Sequence, residues 1–302
     1  MTLLETNENQ SNVQDNRRKS GYLNPKSKFA DVVMFFGVIY FMIPLVWIVV
    51  ASTKTKNDLF QTFSLGFGHS NSFFTNIAAT FRQDNGAFGH WLFNTLFYAV
   101  TAAFLSTVTA TMAGYSLAHF KYRGSRLVES LILGMVMVPG TALVMPLYLL
   151  FAKIHLVNTI WSVILPSVLN QFGAFLMRVY ITNSVPEEML QAARIDRASE
   201  FKIFFRIVLP ILKPALLTVF LFSLVASWNN YFLPLVMLSS EKLYPLAVGL
   251  NTWFGQASQY TADQTLYNCV IDGALIAIVP LIISFIFLQK YWRGGLTAGA
   301  VK

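Results

Sequence analysis

The sequence predicts an all-α, polytopic membrane protein with six transmembrane helices and both termini on the cytosolic side. Three observations carry that expectation. Of 302 residues, 55% are hydrophobic and only 12% charged, whereas a soluble domain carries roughly twice that charge. Apolar stretches long enough to cross a bilayer recur along the chain. With the N-terminus inside, only Lys54, Lys56, Arg82, Lys153 and Lys242, of 22 Lys and Arg, fall in outer segments. That bias toward the cytosolic side accounts for the net charge of +8 without any nucleic-acid partner.

Residues 1–28 are polar, with Arg17, Arg18, Lys19, Lys26 and Lys28 and no apolar periodicity. They read as a largely disordered cytosolic tail, followed by a membrane domain over 29–302. The tail is not expected to be a cleaved signal, because the apolar run after it is too long and lacks a small-residue exit site. The first span covers 32–51, uncharged and long enough to cross ~30 Å of hydrocarbon at ~1.5 Å per residue. The others lie near 91–119, 127–151, 159–181, 208–238 and 267–289. In the second, Ala102, Ser106, Ala110 and Gly114 recur every fourth residue, a spacing that lets helix backbones approach closely. Prolines at 139, 146, 166, 210, 214, 234 and 280 predict kinks or ends, since each lacks an N–H donor.

The segment EEMLQAARIDRASEFKIFFRIVLP, residues 187–210, is charged where its surroundings are not. The orientation places it in the cytosol between spans four and five. Pro186 permits a helix start, and Glu187 and Glu188 suit the positive end of the helix dipole. Ala192 and Ala193 leave room for a close partner surface. Asp196 is a candidate cap for a second helix, in which Phe201, Phe204, Phe205 and Val208 make an apolar stripe. The expectation is two short helices at a bend along the membrane surface. Periodicity alone also fits an amphipathic anchor.

The order of residues resembles the EAA loop of binding-protein-dependent ABC transporter permeases. Gln191-Ala192-Ala193, Asp196-Arg197-Ala198 and Phe205-Arg206-Ile207-Val208-Leu209-Pro210 match that pattern in order and spacing. The resemblance extends over roughly 70–302. ASWNNYFLPLVML and the C-terminal LQKYWRGGLTAGAVK are similar to the MalG-like permease subunits of ABC sugar importers. The resemblance implies the type I importer permease fold in a bacterial cytoplasmic membrane. It implies coupling helices at about 187–207 that dock on an ATPase through Glu187, Gln191, Ala192, Ala193, Asp196, Arg197, Ala198 and Phe201. It also implies a second, MalF-like permease, two copies of a P-loop ATPase subunit, an extracellular sugar-binding protein and membrane lipid as partners. The implied cargo is a carbohydrate, with an oligosaccharide the usual one and glycerol-3-phosphate-type cargo the alternative. The outer segments, about 52–90 and 239–266, are implied to receive the binding protein. Two departures stand out: Gln191 replaces the usual acid, and Arg197 replaces a glycine that would make the bend easily.

The chain has no G-x-x-x-x-G-K-[ST], so ATP-driven work needs a separate ATPase. His69, His90, His119 and His155 show no metal-ligand spacing, there is no G-x-S-x-G, and neither catalysis nor a cofactor is expected. A membrane-embedded enzyme would need clustered acids or histidines at one face. A solitary ion-coupled carrier would show inverted repeats. For a translocation path the candidates are Trp228, Asn229, Asn230 and Tyr231 in span five, with Asn94 and Asp272. Aromatic faces and amides suit a sugar, and the same residues also fit an interfacial belt with interhelical amide bonds. Asp272 is the acid inside the sixth span, where carboxylates are costly, and contact with cargo or a partner permease is the expectation for it.

Overall fold

The computed structural model describes residues 28–120, 122–259 and 264–296. Apart from Lys28, the expected tail lies outside the described residues, as do residues 297–302 of the C-terminal motif. The chain divides into two units, Met1–Val50 and Ala51–Lys302. Helix α1 (Lys28–Ser52) begins in the first unit and carries Pro44 inside it. Its stretch Ala30–Ser52 is long and apolar enough to span a membrane.

The described residues of the second unit form helices joined by turns and loops, with no strand among them. Its elements are α2 (Lys56–Gln61), α3 (Phe73–Arg82), α4 (Ala87–His119), α5 (Ser125–Val136), α6 (Val144–Lys153), α7 (Trp161–Val168) and α8 (Gln171–Ser184). They continue with α9 (Glu187–Ile195), α10 (Glu200–Ile211), α11 (Lys213–Trp228), α12 (Phe232–Met237), α13 (Leu246–Gln259) and α14 (Gln264–Leu296). α10 contains a π-helical turn at Phe204–Val208.

Helix α4 is the axis of this unit. Its 33 residues rise about 50 Å, and α8 and α11 pack along it. The small-residue stripe makes this possible. Ala102, Ser106, Ala110 and Gly114 are all buried. A Cβ on Gly114 would lie 2.7 Å from Met177 Cβ and 2.8 Å from the Arg178 backbone nitrogen, so the two helices meet backbone to backbone. One end of α4 enters a core of Ala110, Tyr115, Met177, Ile181, Leu190, Ile203 and Val208. The other enters an aromatic core where Phe88, Trp91 and Trp253 lie against Leu246, Leu266 and Cys269.

The expected spans are present, but two of them are bent. The third, read as continuous over 127–151, is α5 and Gly140–Lys153 meeting at 101°. Pro139 stands at the break, and its missing N–H and its ring both oppose continuation. The fifth, read over 208–238, is α11 over Lys213–Trp228, which α10 enters at 80° with Leu212 before Lys213-Pro214; 232–237 form the separate helix α12. The fourth breaks at Leu169–Asn170 between α7 and α8. The outer segment before the second span, for which no helix was expected, contains α2 and α3. From Phe73 the apolar stretch reaches His119, interrupted by left-handed Asp84, Asn85 and Gly86 with φ of 47°, 55° and 84°. Asp and Asn tolerate that region because their short side chains bond locally. The Asp84 carboxylate also accepts from Trp253 Nε1.

Loop 241–246 is tied to α4 by side chains rather than by regular backbone pairing. Trp91 Nε1 donates to Glu241 O at 3.1 Å and Tyr98 Oη to Leu243 O at 3.0 Å. Asn94 donates to the carbonyls of Lys242 and Tyr244, and Thr95 Oγ1 accepts from Leu246 N. Gly114→Val should force α4 and α8 apart and lower stability by about 1–3 kcal/mol, the usual cost of overpacking. Thermal unfolding of the solubilised chain measures it.

Candidate functional site

The segment 187–210 folds into the expected bend, an elbow of α9 and α10. Pro186 occupies the cap position before α9, and Glu187 and Glu188 sit in its first turn. The stop after α9 is a Schellman motif. Ala198 N donates to Ala193 O at 3.0 Å and Arg197 N to Arg194 O at 3.0 Å. Arg197 is left-handed, with φ 55°, at the position where glycine is favoured because it lacks a Cβ. Asp196, expected to cap the second helix, instead closes the first. Ser199 takes the capping role, its hydroxyl accepting from Lys202 N.

The apolar stripe expected in the second helix is divided. Phe201 is 77% and Phe205 59% exposed, whereas Ile203 and Val208 are fully buried. The π-helical turn adds a residue to the helical repeat, so the interval expected for a regular helix does not hold through it. The alanines face opposite ways: Ala193 is packed in the core and Ala192 is exposed. Gln191, Ile195 and Phe201 are exposed as Ala192 is, so the elbow leaves apolar side chains uncovered within this chain, beside the amide of Gln191.

Three side chains fasten the elbow to α4. Arg194 Nε donates to Glu200 Oε1 at 2.7 Å, bridging the two short helices. Tyr115 Oη donates to Glu200 Oε2 at 3.2 Å, so one carboxylate joins α9, α10 and α4. The Arg194–Glu200 bond pushes the Arg194 guanidinium above its usual value. Beside it, the His119 side chain is buried, with Glu187 Oε2 at 3.8 Å, beyond hydrogen-bond reach. Arg178 and Glu129 pair at 2.7 Å between α8 and α5.

A second polar feature lies midway along α4, where α7 breaks into α8. Asn170 Oδ1 accepts from Gly173 N at 2.7 Å, capping α8, and its amide donates to Ser223 Oγ at 2.9 Å. Ser223 Oγ in turn meets Ser106 Oγ at 3.0 Å. These groups border a cavity of about 330 Å³ whose lining includes Ser167, Gln171, Ser227 and Asn230, with Phe172 and Phe222 at its edge. Hydroxyls, amides and ring faces together suit a neutral polyhydroxylated ligand, and the volume falls in the ~300–1,000 Å³ range of small-molecule sites.

Of the residues read from sequence as a path, the structure brings Asn230 to this cavity. Trp228 is buried against Ala99 and Ala103. Asn229 donates to Val225 O, and Tyr231 Oη donates to Asn251 Oδ1. Asn94 holds loop 241–246, and Asp272 is buried beside Thr80. Sequence reasoning missed Ser106, Asn170, Gln171 and Ser223, which come from three separate helices. The readable signal was Asn170-Gln171, two consecutive amides within the fourth apolar stretch.

Residues 110–294 match the family described as "Binding-protein-dependent transport system inner membrane component". The chain is 34% identical over 260 residues to the arabinooligosaccharides transport system permease protein AraQ of Halalkalibacterium halodurans, covering 86% of this chain and 90% of the relative. It is 30% identical over 262 residues to the melibiose/raffinose/stachyose import permease protein MelC of Bacillus subtilis, covering 86% and 91%. A chain of a bacterial ABC transporter involved in the import of the acidic polysaccharide alginate superimposes with a TM-score of 0.75 at 23% identity, over 89% of this chain and 98% of that one. That likeness shows the fold.

Arg197→Gly should relieve the left-handed strain and stabilise the elbow by about 1 kcal/mol. Slower amide exchange at residues 196–198 is the readout.

Proposed function

Since this chain belongs to the family of binding-protein-dependent transport system inner membrane components, a transport family of multi-pass cytoplasmic-membrane proteins, we propose that it is a permease subunit of an ABC importer that moves a carbohydrate inward. Sugar and oligosaccharide permeases among its relatives support that cargo class over glycerol-3-phosphate-type compounds. Membership in the family implies an ATPase and a solute-binding protein as partners. The finer assembly in this reading is a second permease, two ATPase copies and an extracellular sugar-binding protein.

The observation that carries the reading is the elbow. A bend made by a Schellman stop, held to α4 through Glu200, leaves apolar side chains of α9 and α10 exposed. In this assignment the elbow lies in the cytosol and both termini with it. Ala192, Gln191 and Phe201 contact the ATPase directly. Glu187 lies beside that contact, and Asp196, Arg197 and Ala198 set the bend. Ala193 acts from inside, keeping α9 seated on the core. Gln191 offers neutral hydrogen bonds where an acid would offer an ion pair, so apolar contact carries more of the docking. The cavity at the α7–α8 break is the proposed path through this subunit, with Asn230 and Gln171 bonding sugar hydroxyls.

Ala192→Trp should abolish ATP-driven uptake and release the ATPase from purified complexes, while membrane content and unfolding midpoint stay unchanged. Uptake at the wild-type rate would refute docking at this face. Gln171→Ala should slow uptake by roughly threefold to tenfold, the loss of one or two hydrogen bonds, with ATPase recovery unaltered.

A further inference from the structure

At the Ala87 end of α4, remote from the elbow, α14 packs against α2 and α3. Asp272 is 0% exposed there, and Asn268, one turn earlier on the same face of α14, is 6% exposed. Oδ1 of each has no hydrogen-bond partner. Asp272 Oδ2 faces Thr80 Oγ1 at 3.4 Å, but the single hydrogen of that hydroxyl has a nearer acceptor in Asn76 O at 3.0 Å. The Asn268 amide nitrogen is committed to Lys54 O at 2.9 Å, which turns its Oδ1 away from that carbonyl. Asn76 likewise donates to the carbonyls of Ser52 and Lys54. The buried carboxylate thus has one long, shared donor and one oxygen with none, an arrangement that is costly unless a positive charge joins it.

Among the described residues no cation is paired with that carboxylate. Lys54 Nζ donates to Phe63 O at 2.8 Å and Ser64 O at 3.4 Å. Arg82 is exposed, and Lys56 is exposed on the wall of the cavity next to Asn268. Asp58 is bonded by His69, which holds its carboxyl below the usual carboxylate range. Asp84 is engaged by Trp253. This cavity, of about 200 Å³, is lined by the polar side chains of Thr55, Ser72, Thr75, Asn76 and Thr265, with Lys56 also on its wall; Asn268 reaches it, and Asp272 and Thr80 do not.

We propose that Asp272 Oδ1 and Asn268 Oδ1, with Thr80 Oγ1, bind a monovalent metal cation of sodium size that enters past Asn268, the one of the three that borders this cavity. All the donors are hard oxygens. One carboxylate balances one unit charge, whereas calcium takes 6–8 oxygens, typically with several carboxylates. Among the described residues no cluster of His, Cys, Asp or Glu is arranged to hold a transition metal. A proton on Asp272 would neutralise the carboxylate. It would leave Oδ2 with a shared hydroxyl and give the polar cavity no role. The site fastens α14 to α3 and residues 52–54. It rests on the fold alone, and its ion is a fixed structural part rather than a driving ion.

The test is thermal unfolding of the full chain, purified with its co-isolating partners in lipid nanodiscs. It is run in sodium, lithium, potassium or choline chloride at equal ionic strength, alongside equilibrium binding of radioactive sodium. Sodium should bind saturably, about once per chain. It should raise the midpoint over choline by on the order of 5 °C at a hundredfold excess over half-saturation. Asp272→Asn, which keeps shape and removes charge, should lose both effects, and Thr80→Val should weaken them. Should both variants fail to assemble, the difference between sodium and choline in the unaltered chain decides alone. Equal midpoints in all four salts with no saturable sodium binding would overturn the proposal and leave Asp272 carrying a proton only.

Discussion

Backbone contact between α4 and α8 is the constraint on which the rest of the second unit depends. Helices in lipid gain little from hiding apolar surface, because the surrounding tails are as apolar as Leu; close packing and interhelical hydrogen bonds must hold them together. Gly114 supplies the closeness, with Met177 and Arg178 against it. Ser106, two turns earlier, supplies a polar contact with Ser223. The stripe of small residues therefore does two jobs on one face. It brings α8 near enough to bury Met177 completely, and it brings α11 near enough to build the polar wall of the cavity.

Breaking helices within such a bundle strands backbone groups where no water replaces the lost bonds. Side-chain amides and hydroxyls fill those vacancies here. Asn170 caps α8 while reaching Ser223. Asn158, itself left-handed, accepts from the backbone nitrogens of Ser239 and Ser240. Trp91, Asn94, Thr95 and Tyr98 serve the 241–246 loop in the same way. Polar residues inside apolar stretches are thus mostly structural in this chain. The cavity is the place where several of them have capacity to spare, because it is formed at a break shared by three helices.

This division explains what was legible in the sequence. The spans follow from hydropathy, a sum over many residues that single contacts do not disturb. The close-packing stripe follows from periodicity, and the elbow follows from residue order. The 101° and 80° bends were announced by Pro139 and Pro214, but proline shows only that a helix is interrupted and not by how much. The division of the Phe stripe was hidden, since a π-helical turn has no single-residue signature. Ser199 outcompeted Asp196 as a cap because the Schellman stop consumed Asp196 first. Asp272 was visible as an anomaly and Asn268 lay one turn from it, but Thr80 was not legible as a neighbour, because nearly 200 residues separate it from Asp272 in the chain.

The attachment of the elbow explains how its exposed face bears on the cavity. Glu200 accepts from Arg194 on α9 and Tyr115 on α4, and Ile203 and Val208 anchor α10 in the same core. A load on the exposed face therefore reaches α4 through a carboxylate clamp and packed side chains, not through a loop. Nine residues separate Tyr115 from Ser106 along a continuous helix, a rise of about 13 Å. Ser106 meets Ser223 across the cavity wall, and Ser223 belongs to α11, whose other end hinges on α10 at Leu212. The elbow is thus joined to the cavity twice, through α4 and through α11, and the two routes converge on one pair of hydroxyls. Moving the elbow as a rigid body while leaving that pair undisturbed would require bending α4 within its most tightly packed segment. In a core packed this closely, the hinge at Leu212 is the softer element, so displacement of α11 against α4 is the motion that the geometry permits.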